Sequence, residues 1–348
     1  MKPSRFSLIP VEITLLAVFL VITGWMMLIS VEVRTKPRVD STWVLQESRT
    51  KERLRAVVEQ DRATLEERIR QDRGLWFKFQ ILSLGSFLLL LGTVVGWARL
   101  VLRLLGGRPI VQPLGNPPPP TWGFRQIFRL LLWILVLTQL ALIGQTIGFR
   151  LYRSGPVDRH LLALGNTLFL DLVAMVGAGW LLLRAGVANG NWWAKVRFAV
   201  EAYVMALPLL GLVVIGIAMV LQWLKVAPSP QAVFTIYMTE SRAPVLGWML
   251  VLITLVGPIA EELFFRGLVY GWLRARIGVV RGLGVSALLF AALHGNAVVF
   301  FPIFFLGVLF GWIYEQTGSL VAPIAVHVFH NTGMLFLAAV VKSLTAPG

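Results

Sequence analysis

Cysteine is absent from all 348 residues, which removes disulfides, thiolate metal sites, cysteine nucleophiles and lipidated cysteines from consideration. Charge is scarce too: 14% of residues are charged, with 17 acidic against 32 basic, and histidine occurs four times. Any catalysis here must run on oxygen and nitrogen groups drawn from a short list. What abounds is apolar. A hydrophobic fraction of 57% and a mean hydropathy of +0.76 lie far above those of an ordinary soluble domain. The chain reads as an all-α, polytopic membrane protein.

A hydrocarbon core of roughly 30 Å takes about 20 apolar residues per helix. On that measure the sequence predicts spans near 8–30, 77–98, 127–148, 161–183, 198–221, 245–265, 282–297, 298–314 and 320–341. Two are short, so the expectation is a transmembrane helix bundle of eight or nine spans. The first, from Leu8 to Ser30, has no small-residue cleavage pattern at its end and reads as a retained signal anchor. A net charge of +15 raises nucleic acid as a partner. The placement of the cations argues for the lipid bilayer instead. Arg99, Arg103, Arg108, Arg125 and Arg129 lie in one stretch without an acidic residue; Arg184, Lys195 and Arg197 follow the fourth span, and Arg274, Arg276 and Arg281 the sixth. The positive-inside rule puts all of these in the cytoplasm with Lys2 and Arg5, which predicts a multi-pass cell-membrane protein with a cytoplasmic N-terminus and no nucleic-acid partner.

Three parts are expected. Residues 1–105 form accessory spans around a charged extracytoplasmic insert, 31–74, with 11 Lys and Arg and 9 Asp and Glu. From Glu47 to Arg73 the insert lacks Pro and Gly, and Leu54, Val58, Leu65 and Ile69 fall on one face, as in an amphipathic helix. That arm is either a solvated helix running into the second span or a surface for a partner protein. Residues 106–121, with Gly106-Gly107 and Pro117-Pro118-Pro119-Pro120, make a non-helical cytoplasmic linker. Residues 122–348 form the membrane-embedded core. No internal repeat is evident, which weakens a transporter reading built on repeated halves.

The chemistry concentrates in that core. Glu261-Glu262-Leu263-Phe264-Phe265-Arg266 places three ionisable groups inside an apolar helix, where each costs roughly 2.5 to 3.5 kcal/mol on insertion scales. Glu262 and Arg266, four residues apart, can pair on one face, while Glu261 points about 100° away. His294 ends the next span, and the last span carries His327, His330 and Asn331. Each group also has a bland reading: Glu262 with Arg266 as a structural ion pair, His294 as an interface residue, His327 as a core histidine bonded to a carbonyl, and His160 as a solvated loop residue. Glu261, a second carboxylate left without its own cation, resists such a reading. Gly307-x-x-x-Gly311 permits close helix contact, and Gly318-Ser319-Leu320 ends one helix and opens another.

The order Glu261-Glu262-x-x-x-Arg266, Phe290-x-x-x-His294, Gly318-Ser319-Leu320 and His327-x-x-x-Asn331 resembles the CPBP family, which comprises CAAX-processing Rce1-type intramembrane endopeptidases and bacterial relatives associated with bacteriocin processing and self-immunity. The likeness covers the final quarter to third of the chain. It implies hydrolysis of a peptide bond in a peptide or membrane-protein substrate, with Glu261 and His294 activating water, His327 and Asn331 supporting the oxyanion, and Glu262 with Arg266 supporting the site. No cofactor is implied. Three alternatives keep the residues: a zinc-dependent protease using Glu261, Glu262, His294 and His327 as ligands, although no His-Glu-x-x-His helix is present; a non-catalytic scaffold or immunity-type protein; and a proton-coupled transporter.

Overall fold

The computed structural model describes residues 11–21, 23, 48, 52, 62–109, 111–152, 159–184, 191–225 and 231–345. These form helices α1 (Val11–Val21), α2 (Arg62–Gln71), α3 (Arg73–Leu105), α4 (Phe124–Tyr152), α5 (Arg159–Arg184), α6 (Trp192–Trp223), α7 (Ala232–Thr239), α8 (Ala243–Ile277), α9 (Val279–Leu293), α10 (Phe300–Thr317) and α11 (Val321–Thr345). No strand occurs among the described residues. Seven of the helices are long and apolar enough to cross a membrane, and α1 and α9 are shorter apolar helices. The chain is a multi-pass helical bundle, and every span expected from hydropathy has a helix at its place.

Polar contacts at the helix ends fix the mutual direction of the spans. Buried Glu12, near the start of α1, pairs with Arg129 at 2.9 Å and Arg125 at 3.5 Å, near the start of α4. Arg99 near the end of α3 lies 3.8 Å from Glu201 in the early part of α6, and Lys78 near the start of α3 donates to Ser343 at the end of α11. Spans 1 and 3 therefore begin on one side, and α3 runs against α6 and α11, as alternation requires.

The α3–α6 contact has a backbone cause. Pro208 within α6 has no N–H for the Val204 carbonyl, and the Thr93 hydroxyl donates to that carbonyl at 3.0 Å, while Trp97 Nε1 donates to Met205 O at 3.2 Å. Gly92 and Gly96 lack the side chains that would collide there: a Cβ on Gly96 would come within 2.6 Å of Met205. The linker is irregular, as its prolines demand, and it lies against the core. Leu114 N–H donates to Gln316 O at 2.8 Å. Gly318, at φ +60°, caps α10, and a Cβ on it would sit 2.5 Å from the Asn116 carbonyl. Buried Trp122 then anchors the core through Nε1 to the Leu268 carbonyl at 3.0 Å.

Of the arm, Leu54 and Val58 lie outside the described residues; Leu65 and Ile69 are half-buried on α2, and the rest of that helix is mostly exposed. Two features depart from expectation. The sixth span extends from 243 to 277, well past 265, because Trp272, Leu273 and Ile277 continue the apolar pattern. And His160, expected in solvent, donates from Nδ1 a 2.8 Å hydrogen bond to Glu240, which Arg242 also grips at 2.9 and 2.6 Å and whose carbonyl takes Lys342 Nζ at 2.5 Å. That clamp joins the start of α5, the α7–α8 joint and the end of α11.

Candidate active site

Helix α8 carries the two glutamates, and it is not a uniform α-helix. Two stretches, Leu252–Val256 and Leu263–Tyr270, are wound as π-helix on either side of Gly257–Glu262, a distortion common at functional sites. The first has a sequence cause. Gly257 N–H bonds to Leu252 O, and the next residue, Pro258, has no N–H, so the Ile253 carbonyl loses its helical donor. Asn331 Nδ2 supplies one from α11 at 2.8 Å.

Glu262 is fully buried and Arg266 is 1% exposed. Arg266 Nη1 donates to Glu262 Oε1 at 2.8 Å and its Nη2 to the Gly307 carbonyl at 3.3 Å. Its guanidinium lies 4.3 Å from the centre of the Phe290 ring and 5.4 Å from that of Phe310, a cation–π sandwich in a dry site. That reach depends on the small-residue pair of α10. A Cβ on Gly307 would come 2.9 Å from Ala287 Cβ, and one on Gly311 would meet Leu283 at 2.7 Å, so α9 and α10 pack where the Gly-x-x-x-Gly spacing anticipates.

The same Glu262 oxygen takes a second donor. His327 Nδ1, from α11, lies 2.8 Å from Glu262 Oε1. An ionised carboxylate only accepts, so Nδ1 carries the proton and Nε2 is turned the other way, where it stands 3.6 Å from Glu261 Oε2. This is too long for a direct hydrogen bond but suits a water touching both groups. The Glu261 side chain is 33% exposed while Glu262 has no exposure, which is the division of labour that adjacent positions on a helix dictate: one carboxylate in the packing, one accessible.

His294 caps α9, with Nδ1 on the Phe290 carbonyl at 2.8 Å. A carbonyl also only accepts, so the Nε2 of a neutral ring is left as an acceptor. The rings of His294 and His327 flank Phe290, with centroids 4.8 and 6.1 Å from it. Three helices, α8, α9 and α11, thus gather Glu261, Glu262, Arg266 and His327, place His294 across one aromatic ring, and tie Asn331 to the broken turn just before the glutamates. His330 faces another way, onto the Tyr203 hydroxyl of α6 at 2.9 Å. Among the described residues, no three His, Asp or Glu side chains gather as a metal-binding set.

Two further polar centres lie outside the motif. Glu315 of α10 binds Tyr270 Oη at 2.7 Å and Arg274 at 2.7 and 3.0 Å, fastening α10 to α8. Asp171 of α5 is 7% exposed and lies within electrostatic reach of Glu261. Its sequence signal is plain once sought: it is the sole charged residue between His160 and Arg184, and an ionisable group in a span marks function by default.

Residues 243–333 match the family model described as Rce1-like, type II CAAX prenyl endopeptidase Rce1-like. The membrane-embedded CAAX protease MroQ of Staphylococcus aureus (strain USA300) is 33% identical over 86 residues, which cover 23% of this chain and 34% of that protein. The chain therefore aligns with about a third of the length of the curated relative it matches. No solved structure matches. The matched segment contains the glutamate pair, the arginine, both flanking histidines and the asparagine, and over residues 243–333 the chain is similar to the Rce1-type CAAX endopeptidases.

Proposed function

We propose that the protein is an intramembrane endopeptidase whose core, residues 122–348, hydrolyses a peptide bond of a peptide or membrane protein with water activated by Glu261. The observation that carries this reading is the 3.6 Å approach of His327 Nε2 to Glu261 Oε2 while His327 Nδ1 is held by Glu262. A water between the two would have a carboxylate to take its proton and a fixed imidazole to orient it. As that water attacks, its oxygen bonds to the carbonyl carbon, its proton passes to Glu261, and the carbonyl electrons move onto oxygen. His294 Nε2 is the second acceptor for the water.

Asn331, with one amide hydrogen on Ile253 O and a second remaining, is a donor to the oxyanion, which forms beside His327 Nε2. Glu262 and Arg266 keep the imidazole and the helix in register. Collapse of the adduct returns the proton from Glu261 to the leaving nitrogen. The likeness of the site-bearing segment to the Rce1-like CAAX endopeptidase family supports peptide hydrolysis. On this reading the protein lies in the cell membrane with a cytoplasmic N-terminus; the pairing of Glu12 and Arg129, which starts two odd-numbered spans on one side, supports the alternation this needs.

The test is a comparison of membrane-peptide termini between wild-type cells and cells carrying Glu261→Gln, which keeps shape and removes ionisation. Termini present only with the wild type are expected, with a loss of at least about a thousandfold in cleavage rate for the variant. Identical termini overturn the reading in favour of a scaffold. Activity that survives chelators supports chemistry without a metal; activity lost to them and restored by zinc overturns it.

A further inference from the structure

Asp171 is buried at mid-span in α5 and is not part of the matched family segment. Its Oδ2 lies 3.8 Å from where a Cβ would stand on Gly257, so the absence of a side chain at 257 lets the carboxylate rest against the α8 backbone. Gly257 and Glu261 share a face of α8, separated by one turn, about 6 Å of rise. The two carboxylates therefore border the same strip of helix.

Charged groups on the helices packed against α5 are engaged elsewhere. Arg125 and Arg129 of α4 are held by Glu12. Arg266 of α8 is held by Glu262 and the Gly307 carbonyl, and Tyr270 is bonded to Glu315. Among the described residues Asp171 has no cation and no hydrogen-bond donor as partner; its interacting charge is Glu261, of the same sign. A carboxyl group in a dry site beside a like charge is costly to ionise without a cation. It is placed to meet a cation that the described residues do not supply.

We propose that Asp171 is the counter-charge for the leaving nitrogen, so that the site binds the ammonium of the newly made N-terminus. The inference rests on the peptidase reading and deepens it. In the tetrahedral adduct Glu261 delivers the proton it took from water to the amide nitrogen, which becomes cationic. The oxyanion electrons then reform the carbonyl, the C–N bond breaks, and its electron pair stays on nitrogen. The acid product finally yields its proton to the amine, giving a carboxylate and an ammonium. Asp171 favours both cationic forms of that nitrogen, an effect on amide cleavage that exceeds any it has on water attack through Glu261. An ester leaves as an alcohol with no cationic stage and gains nothing from it.

Two measurements on the full-length protein in lipid nanodiscs test this. The first needs no turnover: binding of the tripeptide amide Leu-Leu-Leu-NH2 is compared with that of its N-acetylated form. The free amine is expected to bind wild type about tenfold more tightly, and Asp171→Asn to erase the difference. Equal binding of the two peptides, or a preference that persists in the variant, overturns the proposal. The second takes the segment cleaved in cells and synthesises it with an amide and with an ester at the scissile position. Asp171→Asn is expected to slow amide cleavage about tenfold to a hundredfold and to leave ester cleavage within about threefold. Equal loss on both overturns the assignment, since the ester rate reports the folded fraction. An ammonium preference without cleavage of any peptide defeats the peptidase reading and leaves the ammonium site standing; cleavage without the preference defeats the ammonium site alone.

Discussion

Glu262 and Glu315 sit on neighbouring helices of one core, both removed from solvent and both paired with an arginine, yet their surroundings differ in kind. Glu315 has both oxygens engaged, by Arg274 through two nitrogens and by the Tyr270 hydroxyl. Glu262 puts two donors, Arg266 and His327, on the same Oε1, and its Oε2 is buried with no partner among the described residues. A saturated carboxylate has no capacity to respond and holds helices together. One that shares a single oxygen between a fixed guanidinium and an imidazole with a free far side passes its charge to that imidazole. The contrast separates the anchor from the machinery better than burial does.

The comparison is broken most severely by Glu262→Gln. It strands Arg266 in a dry site, which costs about 3 to 5 kcal/mol, and it removes the acceptor that orients His327. Cleavage is expected to fall at least about a hundredfold, with a lower unfolding midpoint in detergent. Glu315→Gln should separate the two properties. Its arginine keeps partial access to solvent, so stability drops by about 1 to 3 kcal/mol, while cleavage per folded molecule stays within about threefold. A fall in cleavage as deep as that of Glu262→Gln would join the two centres and erase the contrast.

Glu240 sharpens it at the outer end. The adjoining Arg242 guanidinium, aided by His160 and local backbone N–H groups, holds this carboxyl well below its ordinary value of 4.5 despite burial. A lowered carboxyl stabilises fully above its unfolded value and loses that contribution as pH falls towards its folded one. Glu240→Gln should therefore lower the thermal midpoint by about the same few degrees from pH 8 to 6, with the gap from wild type closing only below about pH 4. Thermal melts across that range give the comparison.

Much of this was legible beforehand, for reasons that differ between elements. The spans follow from hydropathy because lipid demands internally bonded apolar helices whatever their neighbours. The Glu262–Arg266 pair follows from four-residue spacing, and the α9–α10 contact from Gly307 and Gly311. Asp171 and Glu315 were not singled out because each is a lone acid whose partner lies far off in sequence. His327 was expected as a donor to substrate, while its attachment to Glu262 depends on how α11 is rotated against α8, which no local spacing encodes. His330, one helical position from Asn331, illustrates the same limit: about 100° of rotation sends one to Tyr203 and the other to Ile253.

The amino-acid sequence by itself determined that the chain lives in a membrane, about where along it the helices fall, and which few ionisable groups are available for chemistry, because transfer from water to hydrocarbon acts on each segment independently. Tertiary structure alone decided which of those groups meet. Packing of α5, α8, α9, α10 and α11 turns one glutamate inward and its neighbour outward, and places Asp171 beside the second. Contacts between side chains so distant along the chain are set by helix rotation and close packing, and these are properties of the assembled bundle.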